Sequence, residues 1–207
     1  MLFLLMNKQS KVVQEGYNKL AKKYSKERHR YVNDALLKLF AKHVKKGSKV
    51  LDLGCGAGVP IDRFLVKNGY KVTGIDFARN MLKAAKKNVP RARYIQMDMT
   101  KMKFRPDSFD VAVSFYAIIH VPKEKHAKLY KDLHKILKSD GIILVNASGH
   151  KKWEGYGDFI DTRMFWSHYA PAKTSGILKK SGFKILWHRV LELGGEKQFW
   201  VLARNKK

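Results

Sequence analysis

Apolar positions change their spacing twice along this chain. Between residues 10 and 45 they recur at helical intervals: Val12, Val13, Tyr17, Leu20, Ala21 and Tyr24 fit one face, and Val32, Ala35, Leu36, Leu39 and Phe40 another. Gly47 reads as the end of this helical part. From residue 49 short apolar runs take over, at 49–53, 71–75, 93–97, 109–115 and 141–147. Helical stretches at 59–68, 79–87 and 123–138 separate them. Continuous apolar strands alternating with helices predict a parallel sheet covered on both faces. After a helix near 171–181, runs at 183–191 and 198–204 flank Leu193-Gly194-Gly195-Glu196, which predicts an antiparallel hairpin at the sheet edge. The expectation is a single α/β domain: a Rossmann-like three-layer sandwich around a seven-stranded, mostly parallel sheet. Residues 148–170 fit none of these periods and read as an insertion.

The glycine-rich turn after the first strand, VLDLGCGAG at 50–58, narrows the ligand. Ligands of open parallel sheets sit beyond the carboxyl ends of the strands. Gly54, Gly56 and Gly58 lack the Lys-Ser/Thr ending of a phosphate loop, and Val59-Pro60 breaks the G-x-G-x-x-G of a dinucleotide loop. Asp52, just before the glycines, would repel a pyrophosphate and suits an ammonium group. Asp76 ends the second strand, 22 residues after Gly54, about the offset at which a carboxylate meets a ribose diol. A nucleoside carrying an amino group and no phosphate satisfies both; S-adenosylmethionine (SAM) is such a molecule.

The ordered set VLDLGCGAG, GIDFARNML, YIQMDMTKMKF, SFDVAVSFYAIIHVP and LHKILKSDGIILV, followed by SGFKI and FWVLARN, resembles the class I SAM-dependent methyltransferases, most closely the ubiquinone/menaquinone-biosynthesis type that acts on small molecules. The resemblance implies a SAM-binding core at 47–147, an N-terminal helical lid at 1–46, a substrate-pocket insertion at 148–170 and a closing helix and hairpin at 171–207. It implies that Asp52, Gly54 and Gly56 hold the methionine end of SAM. Asp76 would bind the ribose, Phe77 and Met99 pack near the adenine, and Asp98 accept from its amino group. Ser114 and Phe115 would line the methionyl end, and Tyr17 and Tyr24 would reach it from the lid. S-adenosylhomocysteine (SAH) would be the product. For each of these residues a packing or capping role is the competing reading.

His120, in YAIIHVP after the fourth strand, is the best candidate for a general base; the alternative is a packed histidine with a satisfied ring. In the insertion, Trp153, Tyr156, Arg163, Phe165, Trp166, His168 and Tyr169 are candidates for the acceptor pocket, since aromatic walls bind flat or apolar groups and hold cations. The eight histidines are scattered without ligand spacing, so no metal site is expected. SFYAIIH lacks the [DN]-P-P-[YFW] pattern of amino-group nucleic-acid methylators, and Cys55 lies in the glycine loop, badly placed as a nucleophile. An O or N atom of a small molecule is the expected acceptor. A non-catalytic SAM- or SAH-binding module and a nicotinamide oxidoreductase are the rival classes.

Charge complicates this picture. Forty-three Lys and Arg oppose seventeen Asp and Glu, a formal +26. Such a field attracts polyanions, so an RNA acceptor, as in tRNA base modification, is the alternative; it requires basic surface around the pocket mouth. The six apolar residues that open the chain are too short to span a bilayer, and the single cysteine precludes an intrachain disulfide, so a soluble protein of a reducing cytoplasm is expected. Oligomeric state is open.

Overall fold

A computed structural model describes residues 8–27, 34–193 and 195–207. The apolar opening at 1–6, Val32 and Gly194 lie outside them. Among the described residues no helix is long and apolar enough to cross a membrane.

The elements in chain order are α1 (Lys8–Glu27), α2 (Asp34–Ala41), β1 (Lys49–Leu53), α3 (Ile61–Lys67), β2 (Lys71–Asp76), α4 (Arg79–Asn88), β3 (Arg93–Gln96), β4 (Phe109–Ser114), α5 (His126–Ile136), β5 (Leu137–Ser148), β6 (Trp153–Phe159), β7 (Thr162–His168), α6 (Pro171–Lys180), β8 (Phe183–Leu193) and β9 (Glu196–Asn205). Seven strands form one sheet in the order β3-β2-β1-β4-β5-β9-β8. β1 to β5 are parallel; β9 runs antiparallel to β5 and to β8. The order reverses between β1 and β4, which opens a crevice at their carboxyl ends.

Strand alternation builds the layers. Leu51, Leu53, Ile75 and Ala112 pack with Leu129, Leu133 and Ile136 of α5 and Leu178 of α6. The intervening Val50, Val72, Val111 and Val113 pack with Leu36, Leu37 and Phe40 of α2 and Leu65 of α3. The buried face of α2 is thus Leu36, Leu37 and Phe40, with Ala35 exposed, a rotation from the expected stripe. Gly47 does not end a helix: α2 stops at Ala41, and Gly47, at φ +84°, donates its N–H to the Gly69 carbonyl on the way into β1. β5 begins at Leu137, four residues earlier than its apolar run, because Phe109 pairs with Leu137 before a bulge.

The segment 148–170 holds a hairpin of its own. β6 and β7 pair antiparallel, Tyr156 opposite Phe165, as a separate two-stranded sheet. The sequence hides it because its two-residue turn is Ile160-Asp161, with Ile160 at φ +55°, where Asn-Gly or Asp-Gly would be the recognisable choice. Met164 and Phe165 of this hairpin pack in one cluster with Val13 and Leu20 of α1.

Candidate cofactor and acceptor site

At the carboxyl ends of β1, β2 and β4 lies a cavity of about 660 Å³, mouth included, within the range of small-molecule clefts. The glycine loop forms its floor. Gly56 sits at φ +53°, and a Cβ there would meet nothing nearer than Tyr24 at 3.8 Å, so the loop leaves open space on the cavity side. Gly54 has a packing reason instead: a Cβ would overlap that of Ala117.

Asp76 fastens the loop. Its Oδ2 accepts the Gly56 N–H at 3.0 Å and its Oδ1 the Ala78 N–H at 2.8 Å. Burial raises its pKa to about 6, against the opposing pull of these amides. Asp98 caps a short turn at 99–101, Oδ1 accepting from both Thr100 N–H and Thr100 Oγ1 at 2.8 Å. Asp76, Asp98, Gly54, Gly56, Phe77, Met99, Phe115, Tyr17, Tyr24 and His120 all line this one cavity.

Two candidates do not reach the wall. Asp52 shares strand parity with Val50, so it points under α3, where Asp62 stands. It is 2% exposed, and Asp52 Oδ1 and both Asp62 oxygens find no hydrogen-bond donor of ordinary geometry among the described residues. Burial and then the Asp62 charge hold Asp52 well above the carboxylate range; burial raises Asp62 to about 6, offset by the proximity of Asp52 and Tyr94. The expectation that Asp52 meets a ligand ammonium directly is therefore corrected: its carboxylate lies beneath the loop, beside a second acid that the pattern of apolar positions does not reveal. Ser114 is also internal, its hydroxyl donating to the Leu53 carbonyl at 3.0 Å and tying β4 to β1.

α1 covers the opening. Gln14 Nε2 donates to the Phe77 carbonyl at 2.8 Å, Asn80 N–H to Asn18 Oδ1 at 2.9 Å, and Asn80 Nδ2 to the Asn18 carbonyl at 3.0 Å. His120 sits where α1, the hairpin and the β4 end meet. A carbonyl can only accept, so Nδ1 carries the proton, donated to the Phe165 carbonyl at 2.7 Å. Nε2 then accepts from the Tyr17 hydroxyl at 2.8 Å. Burial lowers the ring's pKa to about 4, which keeps it neutral.

Of the seven insertion candidates, Trp166 lines the smaller cavity adjoining the first. Phe165 is buried in the α1 interface and contributes its carbonyl; Tyr156 meets Phe165 at a tilt of 58° and lies under the Arg163 guanidinium, 5.5 Å from its centroid. Trp153 is 46% exposed beside His168, and Tyr169 packs edge-on to His126. None of these six lines either cavity. The wall residues the sequence did not single out are Ile75, Met97, Thr100, Tyr116, Ala117, Phe159 and Glu196 among others. Of these, Met97 and Thr100 could have been found, flanking Asp98 as they do.

The cavity defines a nucleoside-type site. Its charged side chains among the described residues are Asp76 and Asp98, with no Lys or Arg. On a chain of net +26 that excludes phosphate as the natural occupant, whereas two carboxylates, apolar flanks and an open glycine floor fit SAM. Residues 50–141 match the family model of a methyltransferase domain. An uncharacterized protein, MJ1252, of Methanocaldococcus jannaschii is 31% identical over 133 residues, 64% of this chain and 50% of that one. The ubiquinone/menaquinone biosynthesis C-methyltransferase UbiE of Campylobacter jejuni is 23% identical, covering 94% of this chain and 98% of its own. A crystal structure of a SAM-dependent methyltransferase from Methanosarcina mazei shares the fold, with TM-score 0.71 and 20% identity over 81% of this chain and 97% of that one. The chain spans about half or less of the length of several curated relatives it matches, 50% of one and 27% of another. In the domain matched at 50–141 and in its fold the chain is thus similar to the class I SAM-dependent methyltransferases, whose cofactor is SAM.

Proposed function

We infer that the chain transfers a methyl group to an O or N atom of a small molecule. The observation that carries this is the cavity just described, acidic and apolar in a basic protein, with a second, aromatic cavity sharing part of its lining. Asp76 accepts from the ribose hydroxyls, using lone pairs its two backbone donors leave unused. Asp98 would offer Oδ2 to the adenine amino group, with Phe77 and Met99 available to pack near the base. Gly54 and Gly56 let the methionine end approach the backbone. Asp52 acts from beneath the loop, and Ser114 by holding β4 in place, while Phe115 lines the wall. Bound SAM supplies a methyl group on a sulfonium leaving group, so the protein's task is orientation and exclusion of water. α1 provides both as a lid carrying Tyr17 and Tyr24. His120, neutral and hydrogen-bonded to Tyr17, is the candidate to take a proton from an acceptor that holds one.

The hairpin shapes the acceptor cavity through Phe159 and Trp166. No Lys or Arg among the described residues lines either cavity, which speaks against an RNA acceptor. Calorimetry with SAM, SAH, NADH and ATP tests the cofactor reading. SAM and SAH should bind, and Asp76→Asn should weaken SAH at least tenfold. Tight NADH or ATP binding with no heat from SAM or SAH would overturn it.

A further inference from the structure

The second cavity, of about 370 Å³, shares Tyr17, Tyr24, Tyr116 and His120 with the first. Rings enclose it: Tyr24 meets Phe159 edge-on at 6.3 Å, Phe159 meets Trp166 at 6.4 Å, and Trp166 lies 5.6 Å from the His120 ring. One acid lines it, Glu196, at the start of β9. Among the described residues Glu196 makes no ion pair, although lysines and arginines outnumber acids 43 to 17; even the adjacent Lys197 pairs with Glu192 instead.

A buried relay sets this carboxylate. Glu196 Oε2 accepts from Gln198 Nε2 at 3.2 Å, Gln198 Oε1 from Asn146 Nδ2 at 2.8 Å, and Asn146 Oδ1 from the Tyr116 N–H at 2.6 Å. Asn146 is fully buried and Gln198 6% exposed. Tyr116 has φ +59°, in the left-handed region that a bulky L residue keeps only where its surroundings impose it. The relay therefore links the acid at one end of the cavity to the strained residue between the two cavities.

We propose that this second cavity is the methyl-acceptor site and that it takes an amine, recognised by Glu196 and the faces of Tyr24, Phe159 and Trp166. The proposal rests on the methyltransferase reading and deepens it. Aromatic faces and a carboxylate both favour positive charge, and a carboxylate disfavours an acceptor that must become anionic, such as a phenol. In the transfer, the lone pair of the neutral amine nitrogen forms the new N–C bond while the C–S bond breaks with its pair left on sulfur. Positive charge passes from sulfur to nitrogen, and Glu196 stabilises it there. An amine that arrives protonated loses its proton to solvent before the transfer.

Binding of benzylamine and of benzyl alcohol to the SAH-saturated full chain, measured by calorimetry, tests this. Benzylamine should bind at least tenfold more tightly, and Glu196→Gln should abolish that preference without changing SAH affinity. Equal binding of the two probes, binding of neither, or a preference that survives Glu196→Gln overturns the proposal while leaving the cofactor reading intact. Failure of SAH to bind the wild-type chain overturns both, and is seen before any amine is added. If Glu196→Gln does not fold, the wild-type comparison still decides, with Trp166→Leu as the second variant, expected to weaken benzylamine severalfold. Product analysis with SAM should then find methyl on nitrogen; transfer to a phenol or to a quinol carbon in preference to amines also counts against it.

Discussion

Asp52 and Asp62 bring two carboxylates together in a dry space under the glycine loop. Burial disfavours the charged form of both; the Asp62 charge raises Asp52 further, while the proximity of Asp52 and Tyr94 offsets part of the rise at Asp62. The sign of the consequence follows from linkage. The folded pKa of Asp62, about 6, lies above the unfolded value near 3.8, so its favourable contribution is complete below about pH 4 and is lost as pH rises through 6. Asp62→Asn removes the ionisable partner. It should raise the melting temperature of the ligand-free protein at pH 7.5 by several degrees, corresponding to about 1–3 kcal/mol. At pH 4 the gain should vanish. Thermal melts of both proteins at the two pH values check this; equal gains at both would show that repulsion between the acids is not what is relieved. The glycines, Asp76 and Asp98 were legible in the sequence because their roles depend on position within a strand-loop-helix unit. Asp62 was not, since its significance comes only from the helix that lays it beside Asp52.

α1 is held to the sheet by amides and by its apolar face, and the two are legible to different degrees. Val13 and Leu20 announce a buried stripe through their spacing. Gln14 and Asn18 read as ordinary polar positions until Phe77 and Asn80 supply their partners. Asn18→Ala keeps a good helix former in α1 and removes one acceptor across the gap, at a cost of about 1 kcal/mol. If closure of α1 contributes to binding, SAH affinity should fall about fivefold, with near-ultraviolet circular dichroism unchanged. Unaltered affinity in calorimetry would mean that α1 is a fixed wall and not a lid. The β6–β7 hairpin makes the same point: its aromatic content was visible and its pairing was not, because an Ile-Asp turn carries no local signal.

At the scale of the molecule, the basic charge and the candidate site separate. Lys49, Lys71 and Arg93 begin β1, β2 and β3, and with Arg91, Arg63 and Lys67 they line two adjoining clefts that contain no acid. The cofactor cavity lies at the other end of these strands, roughly 15 Å away at strand rise. Polyanion binding should therefore be strong, salt-dependent and uncoupled from the cofactor. Affinity for a short single-stranded RNA should drop on the order of 10³-fold between 50 and 200 mM salt, while SAH affinity stays constant. Fluorescence anisotropy and calorimetry in parallel salt series measure both; RNA that tightens SAH binding would reconnect the two ends of the sheet.

The sequence by itself determined the alternation of strands and helices, the glycine loop and its carboxylates, and hence the resemblance to the SAM-dependent methyltransferases, because periodicity and loop chemistry are properties of a few consecutive residues. The tertiary structure alone decided which side chains share a wall. Strand parity turned Asp52 inward under α3, an unsignalled hairpin brought Phe159 and Trp166 to His120, and the closing hairpin carried Glu196 into the same space. Such meetings depend on contacts between residues far apart in the chain, and no local pattern encodes them.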